Sequence, residues 1–170
     1  MALTNAELNS GQQAVYFQWT LVVLALYGFT YLVTMLTSAG VRGKIFTAEF
    51  MAQFDSEHKE AFGAESTPPT GGLPDDGNGY YSAKLSYADW FAFNNAQRAH
   101  LNFLETAVPM MFLIGITAIN QPLWALICAC FMVIGRVVYA IGYRMKGPAM
   151  RTPGAIIGYL NMLALLAGAI

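Results

Sequence analysis

The sequence is poor in charge. Only 11% of its 170 residues are Asp, Glu, Lys or Arg, while 56% are apolar. Soluble domains carry about 25% charged residues, so the balance excludes an ordinary water-soluble domain and points to a membrane chain. The charges nearly cancel, to a net -1, which leaves no basic surface for nucleic acid. The stretch Met1–Gln13 has no Lys or Arg and so lacks the basic start of a secretory signal. Cysteine is scarce. Cys128 and Cys130 stand two apart in an apolar run, where a helix points them to different faces and no disulfide joins them. They also fall near the opposite membrane surface from His100, which argues against a Cys/His metal site. The carboxylates of Glu65–Gly79 lack the spacing of a calcium loop and read as solvated surface. His58 has no partner in sequence and reads as exposed.

Four apolar stretches remain. The first, over 15–38, is uncharged and opens with Tyr16 and Trp19 as interface anchors. It exceeds the roughly 20 residues that cross a hydrocarbon core. Arg42 and Lys44 follow it. Residues 41–85 form a long first loop. Within it, Phe46, Phe50 and Phe54 recur every fourth residue over 45–62, as in a short amphipathic helix lying on a membrane surface. The Pro-, Gly- and acid-rich stretch Glu65–Gly79 reads as a flexible loop. Ser86-x-x-Asp89 is a helix-capping pattern. It opens a second helix over 87–119, about 50 Å long at 1.5 Å per residue, kinked at Pro109 and standing out of the bilayer in its first turns. A third helix spans 123–143 and a fourth 153–170, separated by a basic loop broken at Gly147-Pro148. Gly154-x-x-x-Gly158 and Ala164-x-x-x-Gly168 offer small faces for close packing. The expected architecture is a single all-α integral membrane domain, a four-transmembrane-helix bundle.

Arg42, Lys44, Lys59, Lys84 and Arg98 lie in or beside the first loop, and Arg144, Lys146 and Arg151 in the third. The N-terminal tail and the second loop have no basic residue. The positive-inside rule therefore places loops one and three in the cytoplasm.

The chemistry gathers at that side. Arg98, Asn102 and Glu105 are spaced i, i+4, i+7 and share one helix face. Such a stripe is costly in a membrane helix unless it faces protein or a watery cavity. Arg136, Tyr139 and Tyr143 are spaced i, i+3, i+7 and share a face of the third helix. Arg42 and Arg151 sit at the same depth. The two faces together would form a cationic pocket suited to a carboxylate-bearing ligand, since arginine forks match carboxylates. The adjoining lipid would admit a lipophilic second substrate. Each residue alone has a structural reading: Arg98 with Glu105 as a buried ion pair, Tyr139 and Tyr143 as interface anchors, Arg136 snorkelling to the headgroups. Their convergence at one depth favours function. His100 lies off the stripe and suits helix packing as well as ligand contact.

Gln97-Arg98-Ala99-His100-x-Asn102-x-x-Glu105 followed by Pro109, then Gly135-Arg136-Val137-x-Tyr139-Ala140-x-Gly142-Tyr143 and Gly147-x-x-x-Arg151, resembles the MAPEG family. These are membrane-associated proteins of eicosanoid and glutathione metabolism, and the wording is most similar to the microsomal glutathione transferase branch. The resemblance covers Phe93–Ile170; the region 47–85 lies outside it and is longer than the family's usual first loop. It implies a homotrimer with glutathione as co-substrate, without metal, bound between subunits on the cytoplasmic side. Arg98, His100, Asn102, Glu105, Arg136 and Arg42 would hold glutathione. Arg151, Tyr139 and Tyr143 would be catalytic, Arg151 stabilising the thiolate. The implied activity is a glutathione transferase or peroxidase acting on lipophilic electrophiles or lipid hydroperoxides, in the endoplasmic reticulum or mitochondrial outer membrane. Thr106 departs from the tyrosine of some relatives, and Pro109 falls one place later than in some. Three other readings stand beside this one: a lipid-mediator synthase using the same site, a non-catalytic subunit of a larger membrane complex, suggested by the insertion, and a small helical channel, for which the pore-lining charges are few.

Overall fold

The computed structural model describes residues 5–169, with side chains over 9–168. The first four residues of the polar tail and Ile170, at the end of the expected fourth helix, lie outside that range. Among the described residues every regular element is helical: α1 (Asn5–Ile45), α2 (Ala48–Met51), α3 (Asp55–Phe62), α4 (Tyr87–Asn120), α5 (Pro122–Lys146) and α6 (Thr152–Ala169), with short 3-10 turns between.

The first helix is much longer than the apolar run 15–38. It begins in the polar tail and continues through Arg42 and Lys44, which stand in its last turn. Those cations complement the negative end of the helix dipole, so a change in polarity does not end the helix. α4 starts where the capping pattern places it. The Ser86 hydroxyl accepts from the Asp89 N–H at 3.1 Å and donates to the Asp89 carboxylate at 2.7 Å. The helix runs on through Pro109, which supplies no N–H to the Glu105 carbonyl. α5 begins on Pro122, a favoured first residue, and ends at Gly147, whose φ of +80° an L side chain rarely adopts.

α5 packs against α1, α4 and α6. Tyr27, Phe103, Ile114, Met132 and Leu165 are among the buried side chains at that junction. At the end away from the basic loops, the Thr117 hydroxyl donates to the Leu165 carbonyl at 3.4 Å and the Gln121 amide to that of Gly168 at 3.1 Å. Three helical stretches, 9–45, 87–120 and 122–146, are long and apolar enough to cross a membrane. Bare Phe29, Phe112, Ile119 and Leu163 on the outer faces suit contact with lipid.

Small residues set the α5–α6 spacing. A Cβ on Gly154 would stand 2.6 Å from the Gly135 carbonyl oxygen and would strike the Tyr139 backbone nitrogen; one on Gly142 would strike the Met150 carbonyl oxygen. Gly168 closes on the Trp124 ring, which a Cβ would meet at 2.7 Å. Gly158 has open space around it, so only the first glycine of Gly154-x-x-x-Gly158 makes the close approach.

The long loop differs most from expectation. The phenylalanine repeat does not form one surface helix. The chain breaks at Thr47, whose hydroxyl caps α2 by accepting the Phe50 N–H at 3.2 Å, and again in a 3-10 turn over Ala52–Phe54. The rings stack edge-on, Phe50 lying 5.7 Å from Phe46 and 5.8 Å from Phe54, and Phe46 meets the fully buried Phe93 of α4 at 5.1 Å. The apolar face is thus consumed within the protein. His58 is half-buried, its ring 4.7 Å from Phe62.

The acid-rich stretch is knitted together around a buried carboxylate. One oxygen of Asp75 accepts the N–H groups of Gly77 and Gly79 at 2.8 and 3.0 Å, and the other accepts that of Ser82 at 2.6 Å. α4 holds the result: Asn94 and Trp90 donate to the Gly77 carbonyl at 2.9 and 3.1 Å. Burial opposes the charge of Asp75, but the N–H bonds outweigh it and hold its pKa below the ordinary carboxylate value.

Gly142→Ala and Gly154→Ala should each destabilise the bundle by about 1–3 kcal/mol, and Gly158→Ala should not, as read by thermal unfolding in detergent. The lowered pKa makes Asp75 stabilising above the unfolded value near 4; that contribution is lost as the pH falls through the folded value. Hydrogen exchange should therefore find the Gly77, Gly79 and Ser82 amides protected at neutral pH and opening in acid. Asp75→Asn should open them at neutral pH.

Candidate functional site

Arg136 of α5 organises the site. It is 8% exposed, at mid-bundle depth where an unpaired guanidinium would be prohibitive. One arm donates to the Asn102 side-chain oxygen at 3.1 Å, and the other donates to the Thr106 hydroxyl. Asn102 and Thr106 are one helical turn apart on α4, so they present two acceptors along one face. The guanidinium also lies 5.1 Å from the centre of the Phe103 ring and 5.8 Å from that of Tyr139. Arg136 is thus bound within the bundle and does not snorkel.

Tyr139 and Tyr143 continue the face toward the basic end. Both are buried, their rings 5.7 Å apart. Arg151, in the 3-10 turn Pro148–Arg151, reaches back over Tyr143 at 5.5 Å. The Tyr139 oxygen nearby, and Tyr143 more weakly, raise the pKa of Arg151 above its ordinary value against a small opposing effect of burial. Its positive charge is permanent. Tyrosine hydroxyls beside a fixed cation, next to a buried second cation, form a site that can receive and stabilise an anion.

The remaining predicted residues divide. Arg98 and Glu105 are exposed, and neither meets a polar partner within the chain among the described residues. The two do not form a buried pair. They lie one turn to either side of Asn102 along α4, exposed on its surface. His100 faces the other way, into α1, with its ring 5.0 Å from that of Tyr31 and its Nδ1 3.5 Å from the Thr34 hydroxyl. Arg42 is held by the loop. It donates to the Gly71 and Gly72 carbonyls at 3.2 and 3.5 Å and lies 4.9 Å from the Phe93 ring centre. The site therefore joins Asn102, Arg136, Tyr139, Tyr143 and Arg151, with Arg98 and Glu105 at its margin.

Two contributors escaped the sequence reading. Thr106 stands i+4 from Asn102, a spacing that could have included it in the stripe. Tyr27 of α1 is 1% exposed, packed 4.9 Å from Phe103, with its hydroxyl close to Arg136 but outside good hydrogen-bond geometry. No sequence pattern links it to α4 or α5.

The cleft beside Arg136 encloses only about 30 Å³, between Asn102, Thr106 and Tyr139 on one side and Gly154, Gly158 and Tyr159 on the other. Ligand sites enclose roughly 300–1,000 Å³. The space within one chain is therefore too small to enclose a ligand of that size.

These features define a helical integral membrane protein with a half-open, arginine- and tyrosine-lined site at the basic end of its bundle. The chain belongs to the MAPEG family, whose sequence model matches residues 20–170. The match thus takes in most of α1 and the long loop as well as the motifs on α4 and α5. No solved structure matches the chain.

Thr106→Val would leave one arm of Arg136 without its acceptor. It should lower thermal stability by about 1–3 kcal/mol, and Thr106→Ser should restore it.

Proposed function

We propose that the protein is a membrane-bound glutathione transferase and peroxidase, working as a homotrimer of four-span protomers. The observation that carries this is the row Arg136, Tyr139, Tyr143 and Arg151, whose first two members line a cleft too small to close around a ligand. A neighbouring protomer would supply the opposite wall. Arg98 and Glu105, exposed one turn to either side of Asn102 on α4, would then meet the tripeptide, Arg98 taking a carboxylate and Glu105 the α-ammonium. Membership of the MAPEG family supports glutathione-linked chemistry in general. The motif wording favours the microsomal glutathione transferase 3 branch.

A cysteine-type thiol has a pKa near 8.5 and is mostly protonated at neutral pH. A cation beside the sulfur favours the thiolate, and each unit of lowering raises the thiolate fraction about tenfold. Arg151 fills that role, with Tyr139 and Tyr143 positioned to donate to the sulfur or to the acceptor substrate. The thiol proton leaves to solvent. In conjugation the thiolate forms a C–S bond as the electrophile's leaving group departs or its double bond shifts. In peroxide reduction the thiolate takes the outer oxygen of the hydroperoxide and releases an alcohol; a second glutathione then converts the sulfenic acid to disulfide and water. Lipophilic substrates would enter from the bilayer along the open side. Loops one and three would face the cytoplasm, where glutathione is supplied.

A second reading, a non-catalytic subunit of a larger assembly, draws on the folded 45–85 loop. Ultraviolet titration of thiolate with glutathione at neutral pH separates the two. A saturable signal, reduced at least about tenfold in Arg151→Ala, supports the enzyme. Folded protein that neither forms thiolate nor binds glutathione by calorimetry would replace it with the subunit reading.

A further inference from the structure

The loop between α1 and α4 contains a cleft of about 610 Å³, far larger than the space beside Arg136 and separate from it. Its volume lies within the range of small-molecule sites. The walls are aromatic. Phe54 forms the floor, with the Tyr81 ring at 4.8 Å and 67° and the Tyr80 ring at 5.9 Å and 56°. Tyr80 and Tyr81 stand nearly perpendicular to each other at 6.2 Å. Phe62, its ring tilted 42° to that of His58, lines another side. Phe54, Tyr80 and Tyr81 pack edge to face, and all four rings contribute to the lining of the cleft. Two of them are bare: Phe62 is 73% and Tyr80 63% exposed. A polar loop leaves large rings uncovered at a cost that contact with a ligand would offset.

The charged side chains lining this space are all acidic, with Arg42 behind the loop offsetting part of the field of Asp75 and Asp76. Glu57, Asp75 and Asp76 line it, and none of the lining residues is Lys or Arg. The carboxylates attract a cation, though Asp75 has no acceptor to spare. Asp75 commits both oxygens to three backbone N–H groups, and Glu57 gives one oxygen to the Tyr80 hydroxyl at 2.8 Å. A calcium ion needs six to eight oxygen ligands, more than the free carboxylate oxygens of Glu57 and Asp76 supply. A quaternary ammonium has no N–H to satisfy, and aromatic faces with a negative field around them are its preferred surroundings.

We infer that the cleft between α3 and the 74–81 segment is a binding site for a quaternary ammonium group, held by the Phe54, Phe62, Tyr80 and Tyr81 rings with Glu57 and Asp76 supplying the field. A free choline-type amine and a choline lipid headgroup share this chemistry. The site is independent of the glutathione reading, since it uses none of the same residues.

Saturation-transfer NMR on the N-methyl protons of choline tests it, with the full chain in maltoside micelles free of choline lipid. The expected result is a saturable signal, displaced by tetramethylammonium but not by equal concentrations of ammonium or calcium. Tyr80→Ala should weaken binding by about tenfold. Tyr80→Phe, which keeps the ring and loses the bond to Glu57, should retain it. Glu57→Gln should weaken it with the rings intact. Both positions are exposed, and unchanged gel-filtration elution verifies folding. Dihexanoyl phosphatidylcholine binding far tighter than choline would identify the lipid headgroup as the source; equal affinity would identify the soluble amine. A signal unchanged by Tyr80→Ala, equal displacement by ammonium or calcium, or binding of oligolysine but not of choline would overturn the proposal.

Discussion

A guanidinium within an apolar bundle needs compensation wherever it goes, and Arg136 is compensated on every side. Two hydrogen-bond acceptors come from consecutive turns of α4, and ring faces come from Phe103 and Tyr139. The arrangement fixes the rotation of α5 relative to α4, because Asn102 and Thr106 can serve Arg136 only when their shared face turns inward. With α4 so rotated, Phe103 meets Tyr27 of α1, and Arg98 and Glu105 are carried to the outer edge. One buried charge thus specifies both which residues of α4 turn into the bundle and which are left exposed on its surface.

Much of this was legible in the sequence because it is written in helical periods. The i, i+3, i+7 spacing of Arg136, Tyr139 and Tyr143 depends only on α5 being helical. The start of α4 was legible because Ser86 and Asp89 form a local motif. The limits are equally physical. The stripe Arg98–Asn102–Glu105 was read as a single face, yet such a face spans a wide arc. Only Asn102 at its inner edge reaches Arg136, while a residue outside the stripe, Thr106, reaches it too. Tyr27 and the diversion of Arg42 into the loop are long-range matters on which local spacing is silent.

The loop was misread for a different reason. Proline, glycine and acids describe a chain that cannot form a long helix, and the same residues also build tight turns. Glycine at positions 71, 72 and 77 takes positive φ, and an aspartate can bind the N–H groups such turns expose. The repeat Phe46, Phe50, Phe54 was a true signal of an apolar face. Its destination, Phe93 at the foot of α4, was not local. The loop folds because α4 extends past its apolar segment and offers Phe93, Trp90 and Asn94 as a post.

The packing of Gly142 against the Met150 carbonyl has a consequence for Arg151. The turn bearing Arg151 is seated by backbone touching backbone, one residue before the guanidinium. Its reach to Tyr143 is therefore gauged by the absence of a single methyl group on α5. A side chain added there would shift the cation without touching it, and the defect would look like that of a charge mutant.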